Sequence, residues 1–136
     1  MRRLLIILAI ILLPTTVLAQ SWYTANQVTV GWDAVPPIAQ GDVIKYQVYT
    51  RIGTSGDGAK VGSEITASQL AITFTIEGRY FIGVKTIRYP QGETVGVPSA
   101  TTSWSNDPLV CAAAGPFGVQ FFALPGGIRG LKVVSQ

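Results

Sequence analysis

Residues 70–88 read L-A-I-T-F-T-I-E-G-R-Y-F-I-G-V-K-T-I-R. Leu70, Ile72, Phe74 and Ile76 alternate with Ala71, Thr73 and Thr75. After the break at Glu77-Gly78, Tyr80, Ile82, Val84 and Thr86 alternate with Phe81, Gly83 and Lys85. A period of two puts successive side chains on opposite faces, so each run reads as a half-buried strand.

The same period appears on the N-terminal side. Val28, Val30 and Trp32 share one face, and Ile44, Tyr46, Val48 and Thr50 alternate with Lys45, Gln47, Tyr49 and Arg51. A further run spans residues 99–104. Turn chemistry separates the runs: Val35-Pro36-Pro37 through Gln40-Gly41-Asp42, then G-T-S-G-D-G at 53–58, then Y-P-Q-G-E at 89–93. Glycine supplies positive φ, and proline presets φ while removing a ladder donor. No segment after residue 20 holds a helical period over ten residues. Short strands with regular turns predict an all-β sandwich or barrel.

The alternation also sorts the faces. The predicted core is Trp32, Tyr46, Val48, Leu70, Phe74, Tyr80, Ile82 and Val84. Tyr49, Phe81 and Tyr89 fall on the opposite face, and Trp22, Tyr23 and Trp104 flank the domain.

From Gln27 to Ser105 the chain resembles a fibronectin type III domain. V-T-V-G-W-D-A-V at 28–35 places Trp32 where that family has a core tryptophan on its second strand. Tyr46 and Val48 match the third-strand Y-x-V pattern. Phe74 and Tyr80, six apart within the quoted stretch, match the spacing to the family's corner tyrosine, and Gly96 and Ser99 match loosely the signal before the last strand. The resemblance implies an immunoglobulin-like β-sandwich, with a corner phenol that buries its ring and ties its hydroxyl to nearby backbone. Gln40 precedes Gly41-Asp42 where the integrin-binding tripeptide of some relatives has arginine.

Residues 1–19 carry a different signal. Arg2 and Arg3 precede ten apolar residues, Leu4 to Leu13; Pro14 breaks the run and Val17-Leu18-Ala19 ends it. A positive start, a short apolar stretch and a small-residue site predict a cleavable secretory leader, cut after Ala19. A membrane span needs about 20 apolar residues, so none is expected once the leader is gone. The expected location is extracellular or periplasmic. Three regions follow: the leader at 1–19, a sandwich at 20–107 and a Gly/Pro-rich apolar extension at 108–136.

The chain carries +3 net charge from ten basic and seven acidic residues. Arg2 and Arg3 leave with the leader, so the remainder is nearly balanced. Its basic residues are scattered along the sequence, which argues against a nucleic-acid partner. Cys111 is the single cysteine; it is expected to be buried and inert, the alternative being pairing between chains.

There is no histidine. That removes the commonest general base, the His-activated nucleophiles and the commonest transition-metal ligand. One cysteine builds no thiolate zinc site. The acids are well separated in sequence and sit mostly in turns. No catalytic residue, metal site or cofactor is therefore expected. The remaining handle is aromatic: Tyr49, Phe81 and Tyr89 on the sheet, and Phe117, Phe121 and Phe122 in the tail, form the candidate interaction surface.

The expected function is an exported, non-catalytic binding or structural module that contacts a protein partner, another copy of itself or a glycan. One alternative is a filament or virion-surface subunit that uses the tail as an intermolecular strand. Another is a small glycan hydrolase whose two acids are paired by folding. The simplest expectation for the tail is that it packs back on its own sandwich and covers an edge and the outer aromatics.

Overall fold

The longest strand is the one the quoted stretch ends in, Gly78–Tyr89. In the computed structural model, which describes residues 19–111, 114–127, 129 and 132, every part of the larger sheet is arranged around it. The elements in chain order are β1 (Ser21–Thr24), β2 (Gln27–Gly31), β3 (Val43–Ile52), β4 (Ala59–Ile65), β5 (Gln69–Thr73), β6 (Gly78–Tyr89), β7 (Val97–Pro98), β8 (Ser103–Trp104), α1 (Pro108–Cys111) and β9 (Phe117–Phe121). The described residues are almost all β-strand and connecting loop, with α1 as a single helical turn. Among the described residues no helix is long and apolar enough to cross a membrane.

The larger sheet runs β1-β9-β6-β3-β4, and the smaller pairs β2 with β5. β3 lies antiparallel to β6 over ten residues, from Val43↔Tyr89 to Ile52↔Tyr80, without a slip. The other edge of β6 is shared by three short strands: β7 beside Ile87 and Arg88, β8 beside Gly83 and Val84, β9 beside Gly78 to Tyr80. Pro98 has no N–H to donate and ends β7. Ser105 then substitutes for a ladder partner, its Oγ accepting from the Ile82 N–H at 3.0 Å. The chain leaves for α1, which Asp107 caps through the Leu109 N–H. It returns when the Phe117 N–H donates to the Ser105 carbonyl.

The two sheets enclose one core of Val30, Val48, Ile72, Phe74, Tyr80, Ile82 and Val119, with Val28, Trp32, Leu70, Val84, Phe117 and Phe121 packed against it. Trp32 meets Tyr46 edge to face, and the Tyr46 hydroxyl accepts from the Val35 N–H. The Tyr80 ring packs on Phe74 with centroids 4.7 Å apart, and its hydroxyl donates to the Ile76 carbonyl at 2.6 Å. One phenol thus fills the core and pins the corner between β5 and β6.

Four features differ from the sequence expectation. β4 escapes the alternation test: between the pairs Tyr46↔Ile65 and Val48↔Val61, β4 carries two more residues than β3, and the bulge sets Gly62-Ser63-Glu64 between its two apolar residues, so no apolar alternation shows. Gln47 closes that bulge, its amide donating to the Val48, Val61 and Gly62 carbonyls. The run expected to reach Ile76 ends at Thr73. The run expected over 99–104 is broken, with only Ser103 and Trp104 paired there. The extension at 108–136, expected to pack back on the sandwich and cover an edge, goes further and enters the larger sheet as β9 between β6 and β1, with Val119 1% exposed. The predicted leader at 1–19 falls, but for Ala19, on residues 1–18, which with 112–113, 128, 130–131 and 133–136 lie outside the described residues.

Candidate functional site

The outer face of the larger sheet follows from register. On β3 the even residues point to the core, so Lys45, Gln47, Tyr49 and Arg51 point out. Their partners on β6 are Ile87, Lys85, Gly83 and Phe81. Tyr49 pairs with Lys60 on β4, which extends the face by one strand. β8 adds Trp104 beside Gly83, and β1 adds Trp22 beside Gly118 of β9.

Three aromatic rings on this face are built alike. Trp104 lies over Gly83, where a Cβ would meet the ring at 2.7 Å. The Arg51 guanidinium carbon is 3.8 Å from the ring centroid. Trp22 lies over Gly118, where a Cβ would collide with its ring, and Arg79 is 5.5 Å from it. Tyr89 packs against Gly96, and Lys45 Nζ is 4.5 Å from its centroid. Glycine makes room for each ring, and each ring carries a cation attracted by the quadrupole of its face.

Hydrogen bonds fix two of these groups. Arg51 donates to the Gly56 carbonyl and to Asn106 Oδ1; its Nε is buried without a partner among the described residues. The Tyr89 hydroxyl donates to Glu64 Oε2 at 2.6 Å. That bond to a carboxylate, with some desolvation, raises the phenol above its ordinary range. Among the described residues Glu64 is the only acid on the strands of this sheet. The cations of the face are Lys45, Arg51, Lys60, Arg79 and Lys85. The ion pair recorded among the described residues lies elsewhere, between Arg88 and Asp42 at 2.7 Å.

The sequence candidates fall into three groups. Tyr49 and Tyr89 lie on the outer face, half-buried. Phe81, a surface candidate expected to lie under the tail, is 4% exposed: Trp22 of β1 packs on it, with ring centroids 5.4 Å apart. Phe117 and Phe121 face the core instead of the surface. Phe122 remains 52% exposed. The cationic character of the face was hidden in sequence, because 45, 51, 60, 79 and 85 are far apart. Their shared odd parity on β3 and β6 was the available signal for four of the five.

Two clefts open between the sheets where the two-stranded sheet fails to cover the larger one. One, of about 600 Å³, lies beside β4 and β5 and is lined by Ile52, Val61, Ile72, Phe74, Ile76 and Tyr80, with Arg51 and Lys60 at its side. The other, of about 330 Å³, lies beside β2 and α1, with Trp32, Asp33, Ser105, Cys111 and Phe117 in its wall. Neither holds a pair of acids among its lining residues. No group of three metal-ligating side chains occurs among the described residues. Four of the seven acids are engaged separately: Asp42 with Arg88, Glu64 with Tyr89, Glu77 with the Ala123 N–H, Asp107 at α1. The Cys111 thiol donates to the Ser105 carbonyl at 3.2 Å; desolvation, then the nearby Asp107 charge, pushes its pKa up.

No family model, curated protein or solved structure matches the chain.

Proposed function

We propose that the chain is an exported, non-catalytic binding module of fibronectin type III type that acts through the outer face of its larger sheet. The observation that carries this reading is the repeated glycine–aromatic–cation construction on that face. The solvated face of an antiparallel sheet is ordinarily polar; this one carries three large aromatic side chains, each with a cation at its ring. The family reading is supported by Trp32 against Tyr46 and by the Tyr80 hydroxyl on the Ile76 carbonyl. Export rests on the leader pattern of residues 1–19.

The reading in which the tail is an intermolecular strand has less support. Both edges of β9 are taken within its own chain, by β6 and by β1. The hydrolase reading lacks a cleft with two acids.

The test is a screen of the full chain against arrays of glycans and of proteins, repeated with face and tail variants. Any specific signal should fall in Lys85→Glu and Lys60→Glu, and persist in Phe122→Ser and Leu124→Ser. Signals lost only in the tail variants would overturn the assignment of the face.

A further inference from the structure

The outer face has a charge pattern that narrows its ligand. Five cations point out from β3, β4 and β6 against the single carboxylate of Glu64, which is held by Tyr89. Lys45 and Arg51 are six residues apart on one strand, so positive charge extends for roughly 20 Å at about 3.3 Å per residue. A patch of that length suits a polymer with repeated charge better than one small anion. Its potential adds across strands and is least screened at low salt.

We propose that this face binds an acidic polysaccharide, a saccharide chain bearing carboxylate or sulfate groups; the proposal rests on the reading of the outer face given above. Three features favour that polymer over other polyanions. Nucleobases need open ring faces on which to stack, but Trp104, Trp22 and Tyr89 each have a cation over the ring. A protein interface needs an apolar centre, but Phe81 and Ile87 are 4% and 8% exposed, and the exposed apolar residue of this face, Val43 at 47%, stands at the end of β3. What the face offers is fixed cations, ring edges and alkyl stems. These meet anionic substituents and the C–H edges of sugar rings. Arg51 is held in place by Gly56, Asn106 and Trp104, so little ordering is left to pay on binding.

The test uses the full chain on columns of immobilised polygalacturonate and heparin. Dextran, oligothymidylate and polyglutamate serve as neutral, nucleic-acid and acidic-polypeptide probes. Retention is expected on the two acidic polysaccharides, with release between about 0.1 and 1 M salt, where the screening length falls from roughly 10 Å to 3 Å. Arg79→Gln, Lys60→Gln and Lys85→Gln should each weaken binding about two- to fivefold, and the triple variant should pass through unretained. All three side chains lie outside the core, so an unchanged thermal transition will show that the variants are folded. No retention at low salt would overturn the proposal, as would equal retention on oligothymidylate or polyglutamate. If the arrays find a neutral glycan or protein ligand that depends on the same face while neither acidic polysaccharide is held, the face keeps its role and this ligand class falls.

Discussion

The Arg51 guanidinium lies 3.8 Å from the centre of the Trp104 ring, and that ring occupies the space beside Gly83. The three residues come from β3, β8 and β6, so the stack reports whether the middle of the sheet is in register. Without Gly83 the ring could not lie flat, because a Cβ there would stand 2.7 Å from both Trp104 and Thr102.

Gly83→Ala sets two effects against each other. Removing glycine from a strand interior is favourable by roughly 0.5–1 kcal/mol. Forcing a methyl into occupied space costs roughly 1–3 kcal/mol. Two close neighbours make the second effect larger, so a net loss of about 1–2 kcal/mol is expected in urea unfolding. The displaced Trp104 should also shift the tryptophan emission to the red. A variant as stable as the parent with unchanged emission would show that the ring does not rest there.

Val119→Ala tests whether the C-terminal strand belongs to the core. Val119 is 1% exposed and touches both sheets through its cluster. Its truncation should cost about 1.5–3 kcal/mol, from lost burial plus the cavity left behind. Phe122, three residues on, is 52% exposed, and Phe122→Ala should stay within about 0.5 kcal/mol of the parent. Equal effects at the two positions would mean that β9 is not seated in the sheet.

These two residues also mark where the sequence could be read. β3 and β6 announce themselves because their pairing runs unbroken and one face is apolar, so period two survives. β4 does not, because its bulge sets Gly62-Ser63-Glu64 between Val61 and Ile65 and leaves no apolar alternation to read. β9 is legible in part, as an apolar tail that packs back on the sandwich; its facing is not, because in a tail rich in Gly and Pro every residue looks equally fit for burial, and only the partners β6 and β1 decide that Val119 goes in and Phe122 stays out. Phe81 shows the opposite difficulty: its parity correctly puts it on the outer face, but parity says nothing about Trp22 covering it. The cationic face is a tertiary property in the same sense. Lys45, Lys60 and Lys85 become neighbours only when three strands are laid side by side.

The Asp42–Arg88 pair gives a pH dependence of known sign. The Arg88 hydrogen bond, foremost, and the Ala39 N–H hold the Asp42 carboxyl below its ordinary value of 3.8. The unfolded chain therefore takes up the proton first as the solution is acidified. The stabilisation is fully present above the unfolded value and is lost as pH falls through the lower folded one. Urea midpoints measured between about pH 6 and pH 2 should decline on the acid side in the parent. That decline should be shallower in Asp42→Asn and in Arg88→Met. An identical acid limb in all three proteins would assign the decline to other carboxyls.

Cys111 is expected to be slow to react while folded. Its thiol is half-buried at the end of α1, donates to the Ser105 carbonyl and is held protonated by desolvation and by the Asp107 charge. The thiolate is the reactive form, so each of these effects lowers the reactive fraction and access to it. Labelling with an aromatic disulfide reagent near pH 8 should proceed at least about tenfold more slowly in the folded chain than in urea, as expected when both thiolate fraction and access fall. The folded chain should also stay free of disulfide-linked dimer in air. Rapid labelling in the folded state would show an accessible, reactive thiol in the cleft beside α1, and disulfide-linked dimer formed in air would make Cys111 the means by which two copies pair.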